Sequence, residues 1–356
     1  MMNEKKLLTY MKEHNIDAFY VTKKENVRFI SGYTGDDSSL LITKNEYYFI
    51  TDPRYTEQAG LECPDYTIKN WRTPGKTKGD MLGELAASKG LSTVAFESDS
   101  LNYNDFLTFQ EKVAAQLLPC TGVIEKMRQV KTEVEIQYMR AACEISCRAL
   151  ERLMPLIKPG VTEKELAATL SLYMVQEGAD TMPYGNILIS GAKTSLLHGI
   201  PSEKSIEYGD FVLIDFGCQV NGYMSDMTRT FVVGKATEKQ KEVYAIEKQM
   251  LEDSTAVTKA GVTGKEIYLA SLEAIKDTPY MGYQYTNVGH GIGLFVHEGP
   301  FASITDTAPI PAGNVRTIEP GIYIPQWGGV RIEDQLLVTE NGYENMVRFT
   351  HDLIEL

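Results

Sequence analysis

Long apolar runs are missing from this 356-residue chain. No stretch approaches the roughly 18 consecutive apolar residues of a membrane helix, which argues against a chain that spans a bilayer by helices. Basic clusters are missing too. With 35 Lys and Arg against 48 Asp and Glu the formal net charge is -13, so a surface that tracks phosphates has no electrostatic basis and nucleic acid is excluded as the expected partner. Cysteine is scarce. Five residues, Cys63, Cys120, Cys143, Cys147 and Cys218, form an odd and scattered set without a CxxC pair, which rules out a disulfide framework and a zinc-finger spacing. Cys143 and Cys147 stand one helical turn apart and read as small buried apolar residues. The first residues, "MMNEKKLLTYMKEHNIDAF", interrupt their apolar positions with charges and lack the apolar centre of a signal peptide, so a cytoplasmic location is expected.

What is present describes a folded chain. Hydrophobic residues make up 43% and charged residues 23%, close to globular averages. The length calls for two domains. In the first 120 or so residues helical and strand patterns interleave, which predicts a small α/β domain. Lys5 to His14 reads as an amphipathic helix, "DAFYVT" as a strand, "SSLLITKNEYYFITD" as a hairpin turning at Lys44 and Asn45, and "NYNDFLTFQEKVAAQL" as a second helix. A turn-like stretch, "LPCTGVIEKMRQVKT", then precedes a long helix from Glu133 to about Leu153, stopped at Pro155. These signals place one domain at residues 1–125 and another at 126–356.

The second part repeats itself. "KPGVTEKEL", Lys158 to Leu166, matches "KAGVTGKEI", Lys259 to Ile267, and each follows a long helical pattern and opens a new helix through a threonine suited to N-capping. A duplication with two related halves is expected. The seam between them is a natural place for a site.

Acidic residues then appear where strands are expected. In "FVLIDFGCQVNGYMSDMTRTFVV" the Asn221-Gly222 dipeptide favours a two-residue type I′ hairpin. Counting outward pairs Val220 with Tyr223 and Asp215 with Thr228, which leaves Asp226 diagonal to Asp215 on one face. "NVRTIEPGIYIP" and "GGVRIEDQLLVT" read as a second hairpin. With Pro325 to Gly329 as its loop, Glu319 lies opposite Gln335 and diagonal to Glu333. Arg331 and Glu333 share the inward face, and Asp334 points away with Ile332. These strands are rich in Val, Ile and Leu, so the acids face an interior where four of them repel by about 4 kcal/mol per pair at 4 Å. Cations must sit among them. Arg229 and Arg331 could supply charge as an ion-pair network, but His290 in "NVGHGIGLFVHEGP", wrapped by Gly289 and Gly291, brings an imidazole to the same company. An oxygen-rich set with one imidazole is metal-ligand chemistry, and His198 and His297 lie in similar Gly- and Pro-rich segments.

Four motifs in order, "LIDFG...NGYMSDMTRTF", "GHGIGLFVHE", "IEPGIYIP" and "GGVRIED", resemble the pita-bread metallopeptidases, in the branch of Xaa-Pro dipeptidase (prolidase) and aminopeptidase P. "NVRFISGYTGDDSSLLI" and "TDPRYTEQA" resemble the creatinase and prolidase N-terminal domain. The resemblance implies an α/β (α+β) chain with a creatinase-like domain followed by a duplicated pita-bread catalytic domain. It also implies two divalent ions, manganese first with cobalt or zinc as alternatives, held by Asp215, Asp226, His290, Glu319 and Glu333, with Asp226 and Glu333 bridging. Two adjacent cations supply water activation and carbonyl polarisation. Glu319 is then the proton shuttle, His198 and His297 lie near the substrate carbonyl, and Arg331 serves substrate recognition or the metal carboxylates. Proline-containing dipeptides or short peptides are the implied substrates, and a homodimer the implied assembly. An aminopeptidase without strict proline preference and a catalytically silent binding protein are the competing readings. "DFG" at Asp215 is not a kinase loop, since no Gly-rich loop and HRD sequence accompany it.

Overall fold

The computed structural model describes residues 2–356, and the chain separates into two compact units, the first ending at Arg128 and the second beginning at Gln129. In the first unit six strands, β1 (Ala18–Val21), β2 (Ser39–Thr43), β3 (Tyr47–Thr51), β4 (Thr67–Asn70), β5 (Thr93–Glu97) and β6 (Gln116–Cys120), form one mixed sheet in the order β4-β3-β2-β1-β5-β6. The β2–β3 hairpin turns at Lys44 and Asn45, with Ile42 facing Tyr47. Ala18, Tyr20, Leu41 and Ile50 pack against Leu82, Leu85 and Phe109 of the helices Lys78–Ser88 and Tyr103–Lys112.

Two stretches differ from expectation here. The helix read over residues 102–117 ends at Lys112, and Gln116–Cys120 is the edge strand β6, parallel to β5. Val113 is already extended and buried, so packing of the next residues on the sheet overrides the helical propensity of "VAAQL". The stretch expected to be turn-like contains a short helix, Val123–Arg128.

The second unit is built twice from the same parts. Its first half runs through the helices Glu133–Leu153 and Glu163–Gln176 into β7 (Ile187–Ser190), β8 (Phe211–Phe216), β9 (Gln219–Val220), β10 (Tyr223–Met224) and β11 (Met227–Val232). Its second half runs through the helices Glu238–Val257 and Gly264–Ser271 into β12 (Val315–Ile318), β13 (Gly321–Ile324), β14 (Gly328–Arg331), β15 (Asp334–Val338) and β16 (Tyr343–Asn345). All four helices start at a threonine with a capping box: Thr132 with Glu135, Thr162 with Glu165, Thr237 with Gln240 and Thr263 with Glu266. The echo reaches the backbone. Gly160 N–H donates to Ile206 and Ile206 N–H to Val161, just as Gly261 donates to Ile310 and Ile310 to Val262. Each helix pair covers its own apolar cluster, one around Leu150, Leu170, Leu188 and Ile214, the other around Val243, Leu251, Ile318 and Leu336. All five cysteines are free. No described helix is long and apolar enough to cross a membrane.

Candidate metal centre

The first hairpin takes the register its turn dictates. Asn221 and Gly222 have φ of 49° and 78°, the left-handed pair a type I′ turn requires. Val220 faces Tyr223 and Asp215 faces Thr228. Asp226 therefore sits diagonal to Asp215 on one face.

The second hairpin corrects the expected register. Ile324 pairs with Gly328, Gly321 with Arg331, Thr317 with Gln335 and Ile318 with Asp334, so the loop is Pro325–Trp327 and not Pro325–Gly329. One further step along the ladder sets Glu319 opposite Glu333, where the longer loop had set Gln335. A slip of two residues leaves every side chain on its original face, because strand faces alternate with period two. The inward set thus survives.

Gly328 to Thr339 is also not one continuous strand: β14 ends at Arg331, and β15 starts at Asp334. At that break the two halves join. Glu333 N–H donates to Thr228 O at 3.1 Å, and Thr228 Oγ1 donates to Glu333 Oε2 at 2.7 Å. Arg331 N–H donates to Thr230 Oγ1 at 3.2 Å, and Thr230 returns a bond to Arg331 O at 2.9 Å. Two threonines on one face of β11 thus fix Arg331 and Glu333 beside Asp215 and Asp226.

His290 arrives from a separate loop. Gly289 has φ of 150°, and a Cβ there would lie 2.2 Å from Thr317 O, so only glycine lets the loop lie this close to β12. His290 Nδ1 bonds Gly291 O at 2.9 Å, which directs Nε2 to Glu319 at 3.2 Å and Asp226 at 3.7 Å. Fixing one ring nitrogen on a carbonyl frees the other as a ligand atom. His297 stacks edge-on to His290 with ring centroids 4.6 Å apart.

Positive charge is short. Arg331 is the one guanidinium in the cluster; it bonds Asp215, Tyr323 Oη at 2.8 Å and Thr228 Oγ1 at 3.1 Å. Arg229 goes elsewhere, to Asp334 at 2.8 Å and to Glu333 O, so Asp334 faces away from the centre as expected. Burial, then the charge of Asp215, pushes the Asp226 carboxyl well above its usual range. Burial, then the charge of Asp226, does the same to Glu333, and burial raises Asp215 against the pull of Arg331. Burial opposes protonation of His290, yet its contact with Glu319 raises it to about 9. Burial raises Glu319, but His290 and the charges of Arg331 and His297 together hold it below its usual value.

The same residues fit divalent cations. Ligand atoms of Asp226, His290 and Glu333 lie within 4.8 Å of one another. Glu333 Oε1 is buried with no hydrogen-bond partner, an uncommon state for a carboxylate oxygen unless something else occupies it. Asp215 and Glu319 line the same cavity, so the surroundings of these three are oxygen-rich with one imidazole.

Asp215, Asp226, His290, Glu319 and Arg331 open with His198 and His297 onto a cavity of about 750 Å³. Ile187, Ile200, Val296 and Phe301 add apolar walls. The structure thus gathers all eight residues singled out in the sequence, Glu333 beneath and the other seven at the cavity. Three supports were not singled out: Tyr184, whose hydroxyl donates to Asp226 Oδ1 at 2.5 Å, Thr228 and Tyr323. Thr228 had a visible signal, since its register position faces Asp215. Tyr184 had none, because its loop carries no periodicity.

The family model described as metallopeptidase family M24 matches residues 137–340, and the one described as the creatinase/prolidase N-terminal domain matches 4–130. The Xaa-Pro dipeptidase of Pyrococcus furiosus is 35% identical over 350 residues, 98% of each chain. The solved Xaa-Pro dipeptidase from Bacillus anthracis superposes with a TM-score of 0.95 at 36% identity, covering 100% of this chain and 99% of that one. The X-Pro aminopeptidase from Thermotoga maritima superposes with a TM-score of 0.93 at 34% identity, covering 99% of each.

Proposed function

Because the chain belongs to metallopeptidase family M24, a family of metal-dependent peptidases, we propose that it hydrolyses the bond between an N-terminal residue and proline. The observation that carries this reading is the convergence of four carboxylates and His290 on one cavity, in a chain similar along its whole length to Xaa-Pro peptidases. Asp215, Asp226, His290, Glu319 and Glu333 would hold two divalent cations, and the carboxylate-rich set favours manganese. Bound there, the cations supply Lewis acidity and lower the pKa of water.

The side chains divide the remaining work. Glu319, half in the cavity and half against His290, carries the proton from water to the leaving imino nitrogen. His198 and His297 stand at the cavity wall, where they donate to the scissile carbonyl as its oxygen gains charge. Arg331, clamped by Tyr323, Thr228 and Asp215, keeps the carboxylates apart and presents a fixed positive edge. The apolar residues Ile187, Ile200, Val296 and Phe301 receive the proline ring and the residue before it.

The test is a comparison of Ala-Pro, Ala-Pro-Ala and Ala-Ala, each incubated with stripped protein and added Mn²⁺. Cleavage of the proline substrates with Ala-Ala left intact is expected. Equal turnover of Ala-Ala refutes the proline preference, and no turnover of any of the three refutes the peptidase reading.

A further inference from the structure

The helix Glu238–Val257 turns an apolar stripe toward the strands of the second half, with Val243, Tyr244, Met250 and Leu251 all buried in it. Glu247 stands in the middle of that stripe and is 0% exposed. A carboxyl group in such a place needs a reason. Its Oε1 accepts a hydrogen bond from Ile332 N–H at 2.9 Å, and its Oε2 is buried without a partner.

Ile332 lies between Arg331 and Glu333, in the break where the chain leaves β14 and enters β15. The strand changes partners there, from β13 to β12. The N–H groups of Arg331 and Glu333 are taken by Thr230 and Thr228 of β11. The N–H of Ile332 points the other way, and no strand is there to receive it. Glu247 supplies that acceptor from behind, so the three successive N–H groups are pinned alternately from the front and the back. This fixes the kink that aims Arg331 and Glu333 at Asp215 and Asp226.

We propose that Glu247 is a positioning residue for the metal centre, acting through Ile332 to hold Glu333 and Arg331 in their inward orientation. The inference rests on Glu333 as a metal ligand. Burial pushes the Glu247 carboxyl well above its usual range, with the Ile332 contact and Arg229 and Arg331 opposing, a direction that favours its neutral form. In that form the group brings an acceptor without adding a fifth charge to an acidic cluster. A glutamine at this position would do the same work, and an aliphatic residue of equal size would not.

The experiment compares Glu247→Gln and Glu247→Leu with the parent protein, all stripped of metal. It measures Mn²⁺ affinity by equilibrium dialysis, alongside the metal-free unfolding temperature and kcat. Glu247→Gln is expected to keep the parent affinity, and Glu247→Leu to lose about tenfold to a hundredfold, the range for supports one step removed from a metal. Should Glu247→Leu not fold, Glu247→Met carries the same expectation. A merely structural role would lower the unfolding temperature of the apolar variant while its folded fraction bound Mn²⁺ as the parent does, and that result overturns the proposal. Loss of affinity in Glu247→Gln as severe as in the apolar variant overturns it too. Absence of Mn²⁺ binding by the parent is a different failure, that of the metal-site reading itself.

Discussion

Both units bury carboxylates, but they treat them differently. In the first unit Glu97, 4% exposed, accepts hydrogen bonds from the Thr22 and Lys23 N–H groups and from the Asn26 amide. Asp52, 0% exposed, is held by Arg54 through its main-chain N–H, Nε and guanidinium nitrogens. In the second unit Asp226 and Glu333, as deeply buried, face each other, and one oxygen of Glu333 has no donor at all. A buried acid saturated by the chain's own donors is part of the fold. Where several such acids converge on one cavity, an oxygen left short by the chain is open to a ligand that is not protein. The second unit also holds its own control: Glu163, 0% exposed, collects bonds from Ser190, Lys193 and Ser202.

The comparison breaks most visibly at Asp226. Asp226→Ala is expected to abolish Mn²⁺ binding and turnover, while leaving the metal-free unfolding temperature unchanged or raised, because a repulsion is relieved. Metal analysis with thermal unfolding checks it, and retained activity at normal metal content sinks the assignment. Glu97→Ala should do the reverse. It removes the acceptor of four donors at once, the Thr22 hydroxyl included, and is expected to cost about 2–5 kcal/mol in denaturant unfolding with the metal content of the folded protein unchanged.

Glu163→Gln sharpens the contrast by the smallest amount. Burial raises this carboxyl, but Lys193 and Ser202 outweigh it and hold the group below its ordinary value of 4.5. A depressed carboxyl stabilises the fold fully above its unfolded value and loses that contribution as pH falls through the folded value. The stability gap between parent and variant should therefore be complete above pH 4.5 and close as the pH is lowered further. A gap that widens on acidification contradicts the reading.

Much of this site was legible because its carriers obey strong local rules. Asn221-Gly222 dictates a turn, the turn dictates a register, and the register puts Asp215 and Asp226 on one face. The repeated threonine-capped helix start announced the two halves before any fold was known. The second hairpin was harder to read because its three-residue loop places Gln326 at φ of 64°, a conformation the sequence does not advertise. Only the period-two alternation of strands rescued the inward set. Glu247, Tyr184 and Thr230 were invisible for another reason: each acts through a contact distant in sequence, and no local pattern encodes such pairings. The edge strand β6 was hidden in the same way, since its partner β5 lies some twenty residues earlier.

The most direct measurement is a crystal structure of the protein loaded with Mn²⁺, examined by anomalous scattering at the manganese edge. The account predicts two anomalous peaks among Asp215, Asp226, His290, Glu319 and Glu333, with Arg331 still on Asp215. A map without anomalous density, in which Arg331 reaches across to Asp226 and Glu333, would show that the chain neutralises these acids by itself and would contradict it.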